Sequence, residues 1–451
     1  MERETFRSRI GFLLISAGCA IGIGNVWKFP YITGQNGGAF FVLIYLLFLA
    51  ILGVPVMTME FAMGRASKKS PVRMYQKLAP KKTPWHIHGY FALAGNIILM
   101  MFYTTVAGWM LQYFFLSLMG IYDGMEPDGI AELFGNVLAN PVSEVGFMAI
   151  VVILGFVIVA QGLQNGLEKF SSILMTALMI IMVILAIHSI FLPGGSEGLS
   201  FYLLPSLSRL NEAGLGNVVV AAMNQAFFTL SLGVGAMAIL GSYIGKERAL
   251  MGEAVNVAVL DTFVAIVSGL IIFPACFAYN VQPDAGPGLI FITLPNIFNH
   301  MPLGRIWGSF FFIFMTFAAF STVLAVFENI LACVMDLTDW TRIKASWVCG
   351  IGIFLLSLPC ALGYNVLSSI APLGAGSSFL DLEDFIVSNI LLPAGSLIFV
   401  LFCTLRYGWG WDNFVKEANE GKGLKVATAL RPYMTFVLPI IVLVILILGL
   451  I

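Results

Sequence analysis

The chain has 451 residues, of which 59% are hydrophobic and only 10% are charged, and its formal net charge is −1. This composition excludes an ordinary soluble domain and predicts an all-α membrane protein that crosses the bilayer many times. The six cysteines show neither a disulfide framework nor a zinc spacing. We expect no nucleic-acid partner.

In chain order, eleven apolar runs are long enough to cross the bilayer, which takes roughly 17 to 25 residues. The runs cover residues 10–35, 39–63, 89–119, 143–160, 167–192, 217–243, 254–280, 306–335, 346–363, 386–405 and 432–450. No small-residue cleavage site follows the first run, so a removable signal peptide is not expected. With a cytoplasmic amino terminus, all lysines and arginines except Lys28, Arg209 and Arg305 fall on the cytoplasmic side. This asymmetry predicts a plasma-membrane protein with its amino terminus in the cytoplasm and its carboxyl terminus outside.

The first apolar run contains residues 18–30, which read GCAIGIGNVWKFP. Three glycines, an asparagine, a lysine and a proline within one span indicate a helix that is broken inside the bilayer. Lipid cannot hydrogen-bond the backbone groups that such a break frees, so irregular backbone at this depth is buried in protein or lines a cavity. We therefore expect a binding site near the membrane midplane.

A second break is predicted in the sixth run, at residues 227–235, which read FFTLSLGVG. For one glycine cluster alone, close packing of helices would be the simpler explanation. Two clusters five spans apart instead favour two five-helix repeats of opposite topology, an arrangement typical of alternating-access transporters. The predicted units are a first repeat at 1–192, an inverted repeat at 193–406, and a cytoplasmic loop with one additional helix at 407–451.

Ionisable residues inside a membrane are costly and usually functional, and five stand out: Lys28, Glu60, Asp261, Glu328 and Asp384. For Glu60 and Glu328 we favour a structural role, as half of a buried pair or as a cap for the amides of a broken helix. Asp261 needs a cation or a proton as its partner, and the many oxygen atoms nearby favour sodium over a proton. The basic segment 65–82 predicts contact with anionic membrane lipid.

Five motifs, in this order, closely resemble the neurotransmitter:sodium symporter family, especially its bacterial amino-acid transporters with the leucine-transporter fold. They lie at residues 18–30, 36–40 (NGGAF), 60–65 (EFAMGR), 227–233 (FFTLSLG) and 318–322 (AAFST). The resemblance covers essentially the whole chain. It implies a sodium-coupled symporter, not an enzyme, that imports a hydrophobic or aromatic L-amino acid by alternating access, with helices 1 and 6 unwound.

The same resemblance implies two sodium sites and a substrate site between spans 1, 3, 6 and 8. The first sodium site would consist of the substrate carboxylate with Ala20, Asn25, Thr229 and Asp261, and the second of Gly18, Ile21, Ala318, Ser321 and Thr322. The substrate would contact Cys19, Ala20, Gly22, Gly24, Leu99, Tyr103, Phe228, Thr229, Ser231, Val234, Thr322 and Val326. Its carboxylate would lie at the free amides of the broken first span.

Gates on both sides of the substrate are also implied. They comprise the outer pair Lys28 and Asp384, the lid residues Tyr103 and Phe228, and the inner pair Arg3 and Asp336 with Phe6 and Tyr243 beside it. Lysine stands at position 28 where the family more often has arginine, and lysine cannot form the two-pronged contact of a guanidinium with a carboxylate.

Several single positions refine the expected substrate and ions. Relatives that carry amines without a carboxylate have aspartate at the position of Gly22, so glycine favours amino acids. Val234 stands where a leucine-selective relative has a large aromatic residue, which favours bulky side chains. Chloride-dependent relatives have asparagine at Asp261 and serine at Ala265, so this chain is expected to work without chloride. The missing twelfth span implies a monomer or a weak homodimer.

Three other functions stay open at this stage. A membrane amino-acid sensor would keep the same binding site without cycling, and the gate residues at both faces count against it. A channel is disfavoured because the two gates should never open together. A membrane-embedded enzyme lacks support, since the sequence contains no Ser-His-Asp arrangement, histidine-rich metal motif or phosphate loop.

Overall fold

The computed structural model describes residues 4–279 and 288–450. Every regular element within these residues is helical, and their only strand-like contact is a single bridge between Arg248 and Lys422. The prediction of an all-α architecture is therefore confirmed.

Nine helical segments of the described chain are long and apolar enough to cross a membrane. Numbered after the predicted runs, they are span 2 (Ala39–Ser67), span 3 (Pro84–Met119), span 4 (Pro141–Ala160), span 5 (Leu163–Ile190), span 7 (Leu250–Ala278), span 8 (Gly304–Thr338), span 9 (Arg342–Leu362), span 10 (Phe379–Thr404) and span 11 (Thr428–Leu448). Span 1 is a tenth candidate, a pair of helices (Arg9–Ala20 and Gly24–Gln35) bent by 56°. The predicted sixth run forms two helices (Leu215–Thr229 and Ala236–Ser242), each too short to cross a membrane alone.

Span 8 is the most deeply buried of the long helices and packs against spans 1, 3, 4 and 5. It therefore forms a wall beside the break in span 1. Short helices lie in the connecting segments: Pro71–Leu78, Pro127–Ala139, Ser196–Leu203, Leu207–Ala213, Leu294–His300 and Trp411–Ala418.

Span 1 is interrupted at the predicted place. Its first helix begins after Ser8, whose hydroxyl accepts a hydrogen bond from the Gly11 amide at 2.9 Å. That helix ends at Ala20, Ile21 is extended, and regular structure resumes at Gly24. Backbone groups around the break thus lose their helical partners and become available to side chains of neighbouring spans.

The break in the sixth run depends on residues with positive φ. Gly233 has a φ of +98°, and a side chain there would overlap the carbonyl of Leu392 on span 10, so only glycine fits. The free amide of Gly233 donates to Glu60 Oε1 on span 2 at 2.6 Å. Glu60 therefore caps a broken helix, which is one of the two structural roles favoured from the sequence.

Arg65 departs from the expectation that the basic segment 65–82 lies against lipid. It belongs to the helix of span 2 and is only 1% exposed; its Nε pairs with Glu417 Oε1 at 2.7 Å and its Nη1 donates to the Arg248 carbonyl at 2.7 Å. Arg65 thus fastens span 2 to the helix Trp411–Ala418. No pattern in the sequence indicates this contact, because Glu417 lies 352 residues away.

Candidate ion and substrate sites

The hydroxyl groups of span 8 lie against the broken part of span 1. Ser321 Oγ is 3.0 Å from the Gly18 carbonyl, 3.5 Å from the Ile21 carbonyl and 2.9 Å from the carbonyl of Ala318. Thr322 Oγ1 is 3.1 Å and 3.2 Å from the same two carbonyls of span 1. These five residues, which we call the neutral oxygen cluster, are all buried. They are the complete set expected for the second sodium site.

A second group of oxygens surrounds Asp261 on span 7. Asn25 Nδ2 donates to Asp261 Oδ1 at 2.8 Å, and the Thr229 hydroxyl lies 3.3 Å and 3.2 Å from the two carboxylate oxygens. The Gly22 amide donates to Asn25 Oδ1 at 3.3 Å. We call Asn25, Thr229 and Asp261 the Asp261 cluster. It unites three of the four residues expected for the first sodium site, and the fourth, Ala20, lines the cavity described below.

Two polar residues near these clusters were not anticipated. The Tyr45 hydroxyl on span 2 lies 3.4 Å from Asp261 Oδ2, and Gln225 Nε2 donates to the Gly24 carbonyl at 3.0 Å. Gln225 could have been noticed, since it is a polar residue in an apolar run just before the second break. Tyr45 carries no such signal, because tyrosine is common in membrane helices and its neighbours in sequence are apolar.

A small cavity lies beside the two clusters, at the breaks of both helices. Eight of the residues expected to contact the substrate line it: Ala20, Gly22, Gly24, Leu99, Tyr103, Phe228, Ser231 and Thr322. Leu392 of span 10 completes the wall and was missed. It belongs to no recognised motif and reaches the cavity only through the packing of span 10.

Four expected contact residues are not part of this cavity wall: Cys19, Thr229, Val234 and Val326. The Thr229 hydroxyl turns toward Asp261 instead. Val234 lies at the break behind the cavity, where its carbonyl accepts a hydrogen bond from Asn96 at 2.7 Å. Cys19 is fully buried, and its carbonyl accepts from the Ser231 hydroxyl at 3.4 Å. The position of Val234 therefore lends no support to a preference for bulky substrate side chains.

The polar end of the cavity is crowded around Gly22. A side chain at Gly22 would overlap the Tyr103 hydroxyl and come within 2.7 Å of Thr322 Oγ1. Tyr103 Oη in turn accepts a hydrogen bond from the Ile23 amide at 3.0 Å. This end of the cavity therefore consists of backbone amides and hydroxyl groups, and none of the lining residues is a carboxylate, a surrounding that suits a substrate carboxylate.

On one side of the cavity, the two residues expected to form the outer gate make a loose contact. Lys28 Nζ lies 3.8 Å from Asp384 Oδ2, with the two side chains 32% and 35% exposed. The ammonium group also lies 3.8 Å from the centre of the Phe228 ring, and Asp384 Oδ1 accepts from the Ser388 hydroxyl at 2.6 Å. Lys28 thus joins the two expected parts of the outer closure, the ion pair and the aromatic lid.

On the opposite side, the expected contact of Arg3 with Asp336 falls outside the described residues, because Arg3 is not among them. Asp336 Oδ2 accepts from the Ser70 hydroxyl at 2.6 Å, and Lys69 Nζ lies 3.8 Å from Oδ1. The ring of Phe6 packs edge-on against Tyr243, with 5.7 Å between ring centres.

Glu328 forms the buried pair that was one of its two expected structural roles. Arg342 holds both carboxylate oxygens of Glu328, at 2.7 Å and 2.9 Å, and the Tyr243 hydroxyl donates to Oε1 at 2.6 Å. From the sequence, Arg342 is no more than one of the cytoplasmic positive charges. Through Glu328, Arg342 links the start of span 9 to Tyr243, which packs against Phe6.

The segment before span 1 is fastened by two carboxylates that drew no attention in the sequence. Glu168, at the start of span 5, accepts hydrogen bonds from the Arg7 and Ser8 amides at 2.8 Å and 3.1 Å. Glu253, at the start of span 7, pairs with Arg9 at 2.9 Å. The first helix of span 1 is therefore held at its amino-terminal end by hydrogen bonds and an ion pair, and at its carboxy-terminal end by the neutral oxygen cluster.

Comparison with known proteins gives a consistent result. A family model described as the sodium:neurotransmitter symporter family matches residues 3–122 and 138–451. An uncharacterized sodium-dependent transporter of Bacillus subtilis is 36% identical over 88% of this chain and 87% of its own length. The sodium-dependent serotonin transporter of Drosophila melanogaster is 26% identical over 98% of this chain and 75% of its own. The crystal structure of MhsT in complex with L-phenylalanine matches with a TM-score of 0.88, 38% identity and complete coverage of both chains.

Proposed function

Because the chain belongs to the sodium:neurotransmitter symporter family, we propose that it imports a hydrophobic or aromatic L-amino acid together with sodium, by alternating access. The fold match to MhsT supports amino-acid transport in general. Since MhsT was crystallised in complex with L-phenylalanine, phenylalanine is the first substrate to test.

The neutral oxygen cluster is the observation that carries sodium coupling. Sodium is a hard cation that prefers oxygen, and in this cluster each of two hydroxyls lies within 3.5 Å of at least two of three backbone carbonyls. Its members come from span 1 and span 8, so an ion there would hold the first helix of span 1 in place. The ion would bind more tightly to the state in which this helix is held than to the state in which it is released. Loss of the ion would therefore favour release of the helix toward the cytoplasm.

The Asp261 cluster would hold a second sodium ion next to the substrate. The buried carboxylate of Asp261 needs a positive partner, and the cavity that begins at Ala20 would bring the substrate carboxylate to the same ion. An ion shared in this way couples the binding of substrate and sodium. The fixed charge of Asp261 also supports chloride independence, so uptake should be unchanged when gluconate replaces chloride.

The proposed topology has eleven spans, counting the two helices Leu215–Thr229 and Ala236–Ser242 as one broken span. Spans 1–5 and 6–10 would form the two inverted repeats, with the amino terminus in the cytoplasm and the carboxyl terminus outside. Charge supports this orientation, because Arg65, Arg248 and Arg342 all lie near the ends that would face the cytoplasm.

The proposal is tested by uptake of labelled phenylalanine into proteoliposomes. An inward sodium gradient should drive accumulation, and an equal potassium gradient should not. Counterflow in preloaded vesicles distinguishes the transporter from a sensor with the same site, because only a protein that cycles exchanges labelled for unlabelled substrate. Binding without counterflow would favour the sensor, and uptake that ignores sodium would refute the coupling.

A further inference from the structure

An apolar groove of about 450 Å³ lies between spans 4 and 9, away from the two broken helices. Each span contributes six lining residues at the three- and four-residue spacing of one helical face, between 149 and 160 on span 4 and between 343 and 354 on span 9. Two of them, Ile153 and Trp347, are 60% and 72% exposed. The groove is therefore open to the surrounding membrane.

The groove occupies only one half of the membrane. Its lining covers eleven helical steps on each span, or about 17 Å at 1.5 Å per residue. That is roughly half of the 30 Å hydrocarbon core of a bilayer. Span 4 ends at Ala160 and span 9 begins at Arg342, so the lined halves are those next to the connection between spans 8 and 9. A second membrane-spanning helix would contact both spans along their whole length, whereas one lipid chain ends at the midplane.

The depth of the groove depends on a glycine. A Cβ atom at Gly350 would lie 3.3 Å from the ring of Phe156, closer than ordinary contact. The Phe156 ring is stacked on Phe327 of span 8, with 4.1 Å between ring centres and 19° between ring planes. Phe156, which forms the bottom of the groove, is therefore supported by the buried core. The groove is open next to Phe156 because Gly350 has no side chain to fill it.

Two polar residues belong to the turn of span 9 at which the groove ends: Ser346, which lines the groove, and Lys344, which follows the lining residue Ile343 in the sequence. The Ser346 side chain lines the groove and is buried, and its hydroxyl has no hydrogen-bond partner within the described chain. Lys344 is exposed near the start of span 9, where its Nζ lies 4.4 Å from the centre of the Trp340 ring, and no ion pair of Lys344 occurs among residues 4–279 and 288–450. Arg342 is already bound to Glu328. At this end of the groove, where a lipid would carry its ester and phosphate, the described chain thus has a hydroxyl without a hydrogen-bond partner and an ammonium group without a carboxylate partner.

We propose that this groove binds one acyl chain of an anionic phospholipid from the cytoplasmic leaflet, with the phosphate at Lys344 and an ester carbonyl at Ser346. The proposal rests on the orientation given under the proposed function and is independent of transport. Lipid tails gain little by leaving other tails for an apolar groove, so selection must come from the headgroup contacts. One lysine near the surface favours an anionic over a zwitterionic lipid about fivefold.

Quenching of tryptophan fluorescence by brominated lipid tests this site, because Trp347 lies in the groove wall. The purified full chain is placed in phosphatidylcholine nanodiscs with increasing fractions of brominated phosphatidylglycerol, or of brominated phosphatidylcholine for comparison. Brominated phosphatidylglycerol should produce a component that saturates at low fraction, and brominated phosphatidylcholine should quench only in proportion to its fraction. W347F should remove the saturating component. K344Q should raise its half-saturation about fivefold.

G350L, which fills the groove, should also remove the saturating component, while G352L serves as its matched control. Position 352 lies on the same helix, and a Cβ atom there meets nothing within 4 Å. If G350L does not fold, W347F and K344Q still decide the outcome. Coinciding curves for the two brominated lipids would overturn the proposal. A second result would also overturn it: neither brominated lipid quenches the natural chain, and the separate variant W347C forms a disulfide-linked dimer. In that case a second copy of the chain would cover the groove. Neither outcome depends on transport, so failure of this proposal is distinguishable from failure of the proposed function.

Discussion

The neutral oxygen cluster and the Asp261 cluster lie at the same break in span 1, but they satisfy the exposed backbone with different groups. The first contains carbonyl and hydroxyl oxygens alone, with Ser321 and Thr322 bonded to carbonyls of span 1. The second contains a full charge, which is surrounded by the amide of Asn25 and the hydroxyls of Thr229 and Tyr45. A neutral site binds a cation through several weak contacts, whereas a site with a buried charge depends on that one residue.

The largest effect is expected for D261N. The substitution keeps the shape of the side chain and removes its charge, and interactions with a charged group are worth about 1.5–3 kcal/mol. The sodium concentration for half-maximal phenylalanine uptake should therefore rise by roughly ten- to hundredfold. Sodium titration of the initial uptake rate measures this change.

D412N is the matched control for D261N, since Asp412 is exposed on the helix Trp411–Ala418 and remote from both clusters. It should leave the titration unchanged. Equal sodium dependence of D261N and the natural chain would show that the charge of Asp261 has no part in sodium binding, and the contrast between the two clusters would lose its basis.

A smaller effect is expected for S321A. One neutral oxygen is lost while Thr322 still reaches the Gly18 and Ile21 carbonyls, so the cost should be about 1 kcal/mol, or roughly fivefold in sodium affinity. The control is S309A on the same helix, where the hydroxyl bonds to neither cluster but to the Arg305 carbonyl of its own helix at 2.7 Å and to Ser117 of span 3 at 3.5 Å. A loss in S321A as large as in D261N would contradict the idea that the neutral cluster shares its binding over many groups.

The smallest effect is expected for Y103F, which removes a hydroxyl from the polar end of the cavity while every oxygen atom of both clusters stays in place. One neutral hydrogen bond is worth about 0.5–1.5 kcal/mol, and at the lower end of that range the KM for phenylalanine should rise roughly two- to threefold, with little change at saturating substrate. Y113F on the same span is the control, because the buried Tyr113 hydroxyl has no partner in the described chain. A change in sodium affinity without a change in KM would place Tyr103 with the ion sites instead.

The neutral cluster could be predicted from the sequence more completely than the cavity. The break is visible in the sequence and the two hydroxyls are adjacent in one motif, while the resemblance to the symporter family supplied their pairing across spans 1 and 8. The cavity wall also depends on which face of each helix turns inward at the break. A positive φ of 51° at Ser231 and of 98° at Gly233 reorients the chain there, which moves Val234 out of the wall.

Contacts between distant segments that belong to no motif of the family were beyond the reach of the sequence. Leu392 and Tyr45 lie on spans 10 and 2, and nothing in their local sequence distinguishes them from other membrane-facing residues. Arg65 and Glu417 each have the sequence context of a surface charge, although they meet across 352 residues. Pairing of this kind is set by the packing of whole helices, and a single sequence does not encode it in any short pattern.

The ratio of sodium to amino acid transported tests most directly whether both clusters bind an ion. Parallel uptake of radioactive sodium and labelled phenylalanine in voltage-clamped proteoliposomes gives this ratio. We expect two sodium ions for each phenylalanine in the natural chain, one for each cluster. A ratio that stays at one would leave one cluster without an ion, and phenylalanine uptake without any coupled sodium flux would contradict the central claim.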